Sequence, residues 1–198
     1  MSDAETGPGG PLAGVAGVVL AAGGGHRFEG SGHKLLSAFR GRPLVRWSVD
    51  AALGAGFEAV AVVTGAVDLA DILPDEVTVV GNRRWAEGQA GSLQAALAWC
   101  RRAGLRAAVV GPGDQPLIPS SAWRTVGACQ RAPVVAATYG GRRRNPVRLD
   151  RSVWELLPTA GDEGARALMR RRPDLVAEIS CDGDPVDVDT LEDLHRWS

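Results

Sequence analysis

The sequence predicts an α/β fold in which helices cover both faces of a mostly parallel sheet. Three observations support this prediction. The chain is 198 residues long, short β-rich apolar runs alternate with longer amphipathic stretches, and the most unusual loops directly follow strands. A chain of this length fits one compact domain that buries on the order of 70% of its unfolded surface. Strand and helix alternating at this spacing imply right-handed crossovers between parallel neighbours.

The predicted strands are short apolar runs of the length that buried parallel strands have. In chain order they are residues 15–20, 59–63, 77–80, 107–110, 134–138, 176–179 and 186–188. Residues 142–149 instead predict a hairpin or an edge strand, because an arginine run precedes an apolar one. Ligands bind beyond the carboxyl ends of parallel strands, so the loops at residues 21–33 and 111–116 are expected at one edge of the sheet.

The predicted helices are stretches in which apolar residues recur every three or four positions. In chain order they are residues 43–55, 92–102, 120–131, 152–157, 164–172 and 190–197. Pro43 suits the first turn of its helix, where a backbone N–H is not needed. Ser120 or Ser121 is expected to cap the third helix and Asp162 the fifth, because short polar side chains accept hydrogen bonds from first-turn amides. The six tryptophans are scattered and are interpreted as core or edge fillers.

Composition and charge exclude several classes of protein. The formal net charge is −1, whereas a nucleic-acid-binding protein normally carries a strongly basic face. No apolar run approaches the roughly 18 residues that indicate a membrane span. The three cysteines have no CxxC spacing and fit neither a disulfide framework nor a zinc site. We therefore expect a cytoplasmic protein that binds neither nucleic acid nor membrane.

The N-terminal segment is acidic and rich in Gly and Pro. It lacks the charged start and apolar centre of a signal peptide. We expect a disordered tail over residues 1–14, followed by one domain over residues 15–198, because no linker long enough to separate domains interrupts the rest of the chain.

The strongest functional signal is the Gly-rich segment LAAGGGHRFEGSGHKLL, which runs from Leu20 to Leu36. Consecutive glycines let several backbone N–H groups converge on an anion, and Arg27 and Lys34 add full positive charges. Lys34 is the single lysine among 22 basic residues, which marks it for a specific role. The strand before this loop and the helix after it favour phosphate binding over a mobile surface loop.

Two better-known phosphate loops do not fit this segment. A dinucleotide-binding fingerprint needs a third Gly where Phe28 stands, and a Walker loop needs Lys where Ser31 stands. An NAD(P)-linked oxidoreductase is an alternative that these departures disfavour. The end of the second strand, at Thr64 and Gly65, also lacks the acidic residue that such an enzyme places against the ribose.

The Gly-rich segment resembles the N-terminal signature of the MobA-like nucleotidyltransferases, LAAG-x-G-x-R-[MF]-G-x-x-K, most closely in their molybdenum cofactor cytidylyltransferase branch. The resemblance implies a Rossmann-like three-layer α/β sandwich of the nucleotidyltransferase type in a single domain. It implies that Arg27 and Lys34 face the phosphates of a nucleotide, although the Phe28–Lys34 spacer is longer than is usual in the family. The residues implied to wrap the nucleotide are Leu20, Ala21, Ala22, Gly23, Gly24 and Gly25.

Further segments extend the resemblance over nearly the whole chain after the tail. GQAGSL, which begins at Gly88, is similar to the family's G-M-x-x-S-L, with Gln89 in place of the usual Met. This match implies that Gly88 and Ser92 border the base and ribose, whereas the residue types alone indicate only a helix start with a Ser cap. Residues 140–147 and 161–166 resemble the family's acceptor-side elements, G-x-P and GDxGAR.

Two acidic segments resemble the family's metal-binding motifs. GDQPL, which begins at Gly113, implies that Asp114 binds Mg²⁺. DVDTLEDL resembles D-[IV]-D-T-P-E-D-L, with Leu191 in place of Pro. The match implies a second carboxylate ligand, for which Asp189 is the first choice and Asp187 the second. From the residue types alone, Asp114 is an ordinary turn former and Asp189 an N-cap of the last helix.

The resemblance implies Mg²⁺-dependent transfer of CMP from CTP to molybdopterin with release of pyrophosphate, in which Arg27, Lys34 and Asp114 act catalytically. No protein base is needed, because the acceptor's phosphate is already anionic. One alternative transfers GMP or uses a sugar- or alcohol-phosphate acceptor. Another is a non-catalytic nucleotide-binding module in molybdoenzyme maturation. A molybdoenzyme or its maturation chaperone is the implied protein partner.

Overall fold

A computed structural model of the chain describes residues 10–25, 28 and 32–198. The strands within this range are β1 (Leu12–Ala21), β2 (Ala38–Phe39), β3 (Arg42–Pro43), β4 (Phe57–Thr64), β5 (Val77–Gly81), β6 (Ala107–Pro112), β7 (Val134–Tyr139), β8 (Arg142–Asp150) and β9 (Val176–Ser180). The α-helices are α1 (Leu44–Gly54), α2 (Gln89–Arg102), α3 (Ser120–Ala128), α4 (Ala165–Arg171) and α5 (Leu191–Trp197). None of the helices in these residues has the length and apolarity needed to cross a bilayer.

Seven of the strands form one sheet in the order β5-β4-β1-β6-β8-β7-β9. β1 pairs in parallel with both β4 and β6, while β5 and β9 pair in parallel with their neighbours β4 and β7. Within the described sheet, only β8 runs antiparallel to its two neighbours, β6 and β7. The predicted α/β sandwich with a mostly parallel sheet is therefore confirmed.

The hairpin predicted over residues 142–149 is present, but β8 is not an edge strand. Gly140 and Gly141, both at positive φ, form the two-residue turn between β7 and β8. β8 then lies between β6 and β7 in the sheet. The arginine run misled the prediction because β6 pairs only with residues 147–150, so Arg142–Arg144 extend beyond β6 and pair with β7 alone.

Several predicted element ends differ from the structure. β1 begins at Leu12, so residues 12–14, which the sequence assigned to the tail, are part of a strand. α3 ends at Ala128, three residues before the predicted end, because Cys129 takes an extended conformation. Residues 186–188 form no strand. Their backbone docks instead on the loop after β6, where the Val188 N–H donates to the Asp114 carbonyl.

The two predicted polar caps are wrong. α3 begins directly after Pro119, and neither Ser120 nor Ser121 caps it. α4 has Gly164 at its N-cap rather than Asp162, with a φ of 49° that favours glycine. In both places the tertiary path of the chain, rather than the capping preference of a polar side chain, decides where the helix begins.

Two hydrophobic clusters lie on opposite faces of the sheet. One is covered by α1 and α3 and contains Val49 and Trp123, and the other is covered by α2 and α4 and contains Leu97 and Trp154. A third, smaller cluster joins Phe39, Leu44, Val188 and Leu194. This third cluster anchors the segment before α5, and thereby the position of Asp189 beside it.

We expect Gly111→Ala to lower the free energy of unfolding by about 1–3 kcal/mol. A Cβ at Gly111 would lie 2.7 Å from the ring carbons Cη2 and Cζ2 of Trp123, which is fully buried and has little room to shift. Urea denaturation measures the change. Gly81→Ala is the matched control, because no atom lies within 4 Å of a Cβ built there; equal effects of the two substitutions would contradict the packing argument.

Candidate functional site

A cleft of about 550 Å³ opens at the carboxyl edge of the parallel strands. Its walls include most of the residues that the sequence motifs singled out: Leu20, Ala21, Ala22, Gly23, Gly24, Gly25, Lys34, Gly88, Ser92, Asp114 and Asp189. Asp187 is not among the lining residues. Arg27 lies outside the residues that the structure describes.

Three aspartates line this cleft, Asp114, Asp162 and Asp189, and Lys34 connects the first and the last of them. Its Nζ donates hydrogen bonds to Asp114 Oδ2 at 2.6 Å and to Asp189 Oδ1 at 2.8 Å. The Lys34 side chain is 11% exposed and each aspartate side chain 20%. Burial acts to lower the pKa of Lys34, but the charges and hydrogen bonds of Asp114 and Asp189 outweigh it and raise that pKa. The ammonium group is therefore charged at neutral pH and offsets the repulsion between the carboxylates.

Backbone contacts place Asp114 beside the Gly-rich loop. The Gly113 N–H donates to the Leu20 carbonyl at 2.9 Å, which joins the end of β6 to the end of β1. The Val188 N–H donates to the Asp114 carbonyl at 3.0 Å, which holds the segment before α5 on the same loop. Three distant parts of the chain thus meet where their charged side chains interact.

A capping box at the start of α5 positions Asp189. Asp193 Oδ2 accepts hydrogen bonds from the N–H groups of Asp189 and Thr190, at 3.1 and 3.0 Å. Thr190 Oγ1 in turn accepts from the Asp193 N–H at 3.1 Å. The N-cap is therefore Thr190 and not Asp189, and the Asp189 side chain points to Lys34 instead of capping the helix.

Asp187 has a different partner. Gln115 Nε2 donates to Asp187 Oδ1 at 2.9 Å. Burial, followed by the negative charge of Asp114, raises the pKa of the Asp187 carboxyl above its ordinary value. Asp189 and Asp187 are the two candidates for the second carboxylate ligand. The structure places Asp189 against Lys34 in the cleft, whereas Asp187 contacts Gln115 and does not line the cleft.

The donor set in the cleft fits a divalent cation that a phosphate substrate helps to hold. Asp114 Oδ1 is buried and has no hydrogen-bond partner among the described residues. Mg²⁺ prefers such carboxylate oxygens and is commonly bound by one or two carboxylates together with substrate phosphates and water. Within the described residues, no group of three or more His, Cys, Asp or Glu side chains is close enough to hold a metal on its own.

His33 connects the Gly-rich loop to the short 3₁₀ helix Lys34–Leu36. Its Nδ1 accepts from the Leu35 N–H at 3.3 Å, so its Nε2 carries the proton and donates to the Gly23 carbonyl at 2.9 Å. Sequence reasoning assigned His33 no function. Its contacts give it a structural one, because it holds the loop next to the residue that bridges the carboxylates.

We expect the stability of the protein to depend on pH through His33. Burial lowers the pKa of His33; its hydrogen bond to Gly23 opposes this effect and the charge of Lys34 adds to it. The folded protein therefore favours the neutral ring, whereas the unfolded chain binds a proton at its ordinary pKa of about 6.5. The free energy of unfolding is expected to fall as the pH drops below that value.

Urea midpoints between about pH 5 and 8 measure this dependence. The fall is expected to be smaller in His33→Gln, which retains a donor but does not titrate. His195→Gln, at an exposed position on α5, is the control. A His33→Gln protein that keeps the full pH dependence of the wild type would show that other groups are responsible.

Trp85 lines the cleft, although its sequence context did not indicate this. A Cβ at Gly65 would lie 2.6 Å from the Cβ of Trp85 and 2.8 Å from the Ala22 carbonyl oxygen. Gly65 therefore allows the segment that carries Trp85 to approach the Gly-rich loop. No local pattern marks such a contact, since it depends on the absence of a side chain 20 positions earlier.

Ser92 also lines the cleft, but it does not cap α2. The N-cap is Gly88, at a φ of 111°, and a Cβ there would lie 2.6 Å from the Gly161 carbonyl. The Ser92 hydroxyl is buried and accepts a hydrogen bond from Asn82 Nδ2 at 3.0 Å. The Ala90 N–H donates to the Gly161 carbonyl at 2.9 Å, so the start of α2 packs directly on the loop before α4.

A smaller cavity of about 40 Å³ adjoins the cleft and shares Leu20, Gln89 and Pro112 with it. The two segments that resemble acceptor-side elements meet there. Its other walls are Leu93, Val110, Gly111, Asn145, Val147, Glu163, Gly164, Ala165, Arg166 and Met169. The cavity thus has mostly apolar walls, with two side-chain amides, Gln89 and Asn145, and two charged side chains, Glu163 and Arg166.

Comparison with known proteins identifies relatives over most of the chain. A family model described as the MobA-like NTP transferase domain matches residues 17–176. The nicotine blue oxidoreductase of Paenarthrobacter nicotinovorans is 32% identical over 200 residues, which cover 92% of this chain and 95% of that protein. The crystal structure of Rv0371c from Mycobacterium tuberculosis H37Rv superimposes with a TM-score of 0.79 at 29% identity, covering 92% of this chain and 96% of that one. The manganese complex of Rv0371c gives 0.73 at 28% identity, covering 92% and 97%.

Proposed function

We propose that this chain, which belongs to the MobA-like NTP transferase family, is a Mg²⁺-dependent nucleotidyltransferase. The reaction we propose joins CMP from CTP to molybdopterin. The observation that carries the proposal is the bridge from Lys34 to Asp114 and Asp189 in a cleft lined by the Gly-rich loop. These residues support transfer from a nucleoside triphosphate. The choice of CTP and molybdopterin rests on the resemblance of the GDQPL and DVDT segments to the cytidylyltransferase branch.

In the proposed reaction one bond forms and one breaks. An oxygen of the acceptor's terminal phosphate attacks the α-phosphorus of CTP, and the bond from that phosphorus to the bridging oxygen of the β-phosphate breaks. The electron pair of the broken bond leaves with pyrophosphate. The attacking oxygen carries no proton at neutral pH, so the reaction requires no base from the protein, and His33 remains bound to Gly23 and Leu35.

Lys34 supplies positive charge where the triphosphate loses its leaving group. A preorganised charge in a partly buried cleft acts strongly, because little water is present to screen it. Arg27 is proposed as a second positive charge from its position in the motif. Backbone N–H groups of the Gly-rich loop and the first turn of α2 add partial positive charge around the phosphates.

Asp114 and Asp189 are proposed to hold the Mg²⁺ ion, and Asp114 Oδ1 is the oxygen that lacks another partner among the described residues. When bound, a divalent ion neutralises phosphate charge and orients the reacting phosphate. Rv0371c, which is 28% identical to this chain, has been solved as a manganese complex, and a relative of the same fold that binds a divalent ion supports the proposal. Asp187 is not proposed as a ligand, because Gln115 engages it.

The test measures pyrophosphate release with each nucleoside triphosphate in turn, with Mg²⁺, in the presence and absence of molybdopterin. We expect release with CTP that depends on the acceptor. Release with GTP, or with a sugar- or alcohol-phosphate acceptor, would move the assignment to another transferase of this fold. Thermal stabilisation by a nucleotide without any release would indicate a non-catalytic module in molybdoenzyme maturation.

A second candidate function follows from one observation. The relative that is 32% identical over 92% of this chain is named an oxidoreductase. A reduced nicotinamide nucleotide would be the hydride donor for an activity of that kind, bound in the same cleft. Oxidation of NADH or NADPH with a dye acceptor, in the absence of any pyrophosphate release, would replace the transferase proposal.

A further inference from the structure

Gln115 is buried in the loop that carries Asp114. The residue is 3% exposed and lines neither the cleft nor the smaller cavity. Ser48 Oγ on α1 donates to the Gln115 carbonyl at 3.2 Å, so the backbone at this position is also fixed. A buried amide that lines no cavity acts through its hydrogen bonds within the protein.

Both ends of the Gln115 amide are used. Its Nε2 donates to Asp187 Oδ1 at 2.9 Å and to the Pro185 carbonyl at 3.3 Å. Its Oε1 accepts from Asn145 Nδ2 at 3.4 Å. One side chain therefore joins the loop after β6, the segment before α5 and the strand β8, whose Asn145 forms part of the wall of the smaller cavity.

The contact with Asp187 separates this carboxylate from the other two. Asp187 and Asp189 are only two positions apart in the segment before α5. Lys34 nevertheless contacts Asp189 and Asp114, whereas Asp187 Oδ1 accepts a hydrogen bond from Gln115. Although three aspartates come this close in the fold, the described residues contain no group of three acidic side chains near enough to hold a metal.

We propose that Gln115 is a positioning residue whose amide holds Asp187 away from Asp114 and Asp189, so that two carboxylates, and not three, face a cation at the Lys34 end of the cleft. This inference rests on the proposed function, because it concerns the same carboxylate pair. Divalent-cation affinity rises with the number of charged ligands. A third free carboxylate would therefore retain the cation without a nucleotide, whereas a pair of carboxylates binds it more weakly until the substrate's phosphates complete the site.

Manganese binding to the nucleotide-free protein tests the proposal, with Mn²⁺ alone as the probe and the electron paramagnetic resonance signal of free Mn²⁺ as the readout. Gln115→Met fills a similar volume but makes none of the three hydrogen bonds. We expect it to bind Mn²⁺ about tenfold more tightly than the wild type, on the order of one added charged ligand. Adding Asp187→Asn to this variant is expected to return the affinity to within about twofold of wild type.

Gln94→Met is the matched control, because Gln94 donates to the Pro158 carbonyl and lines neither cavity. Thermal melts check that each variant folds. If Gln115→Met does not fold, Asp187→Asn alone decides: an affinity within about twofold of wild type supports the proposal, and a tenfold weakening overturns it by making Asp187 a ligand.

The outcomes separate this inference from the proposed function. Wild-type protein that binds Mn²⁺, with a Gln115→Met variant of unchanged or weaker affinity, overturns only the role of Gln115. Additive effects of Gln115→Met and Asp187→Asn overturn it as well, because the proposal requires the two residues to be coupled. If neither the wild type nor any variant binds Mn²⁺ and no nucleotide gives pyrophosphate, the proposed function fails and the inference fails with it.

Discussion

Lys34→Ala is expected to lower the turnover number for pyrophosphate release about 10²–10³-fold, as removal of one preorganised charge from an active site does. The ammonium group is nearly buried and charged, and both Asp114 and Asp189 contact it. Its replacement removes positive charge from the place where the leaving pyrophosphate gains negative charge. Steady-state kinetics with saturating CTP and acceptor measure the effect.

Lys34→Arg is expected to restore little of this activity. The Lys34 Nζ is a point donor to two oxygens, at 2.6 and 2.8 Å, and a planar guanidinium does not reproduce that geometry. Arg172→Ala, which breaks an exposed ion pair with Asp174, is the control for loss of a positive charge elsewhere. Turnover near the wild-type value in Lys34→Ala would refute the catalytic assignment.

Lys34→Ala is also expected to lower the free energy of unfolding by about 1–3 kcal/mol, because it leaves two partly buried carboxylates without their shared counter-charge. Added Mn²⁺ is expected to raise the melting temperature of Lys34→Ala by more than it raises that of the wild type, since a divalent cation can take over the neutralisation of both aspartates. This comparison separates a loss of charge from a general loss of structure.

The second large loss of turnover is expected when the charge of Asp114 or Asp189 is removed. Asp114→Asn and Asp189→Asn are each expected to lower turnover about 10²–10³-fold, whereas Asp187→Asn is expected to lower it less than about tenfold. Asn retains the size of each side chain and removes its charge. The difference arises because Lys34 contacts Asp114 and Asp189, while Gln115 holds Asp187 outside the cleft lining.

Turnover measured over a range of Mg²⁺ concentrations tests the carboxylate assignment. In Asp114→Asn and Asp189→Asn the half-saturating Mg²⁺ concentration is expected to rise, and in Asp187→Asn it is expected to stay near the wild-type value. A greater loss in Asp187→Asn than in Asp189→Asn would exchange the roles of these two residues.

The layer architecture was predictable from sequence because it depends on patterns within short segments. Each buried strand of the parallel core, such as β4 and β6, is an apolar run, and each covering helix has apolar residues every three or four positions. The interior position of β8 was not predictable in this way. It depends on which strands pair at a distance, and the local arginine run suggested an edge instead.

The charged residues of the site were predictable from motifs, but their partners were not. Lys34 and Asp189 are 155 positions apart, and no local pattern shows that their side chains meet. The same limit applies to His33 and Gln115, which bind no ligand in the proposal and act through hydrogen bonds to other segments. Sequence reasoning finds residues by their chemistry, and it overlooks those whose role lies in holding another residue in place.

The reversed strand β8 divides the hydrogen bonding of the sheet into two parts, and we expect these parts to open at different free energies. β7 and β9 are hydrogen-bonded to the rest of the sheet only through β8, so these three strands are expected to detach together when the pairing of residues 107–110 with 147–150 is broken. In native-state hydrogen exchange such a unit exchanges its amides as a group, while β1, β4 and β6 stay protected. Asn145 belongs to the unit that opens, and the Gly-rich loop and Asp114 to the part that remains. Because Asn145 lines the smaller cavity and not the cleft, the wall of that cavity is expected to open first, while the cleft beside the Gly-rich loop keeps its shape.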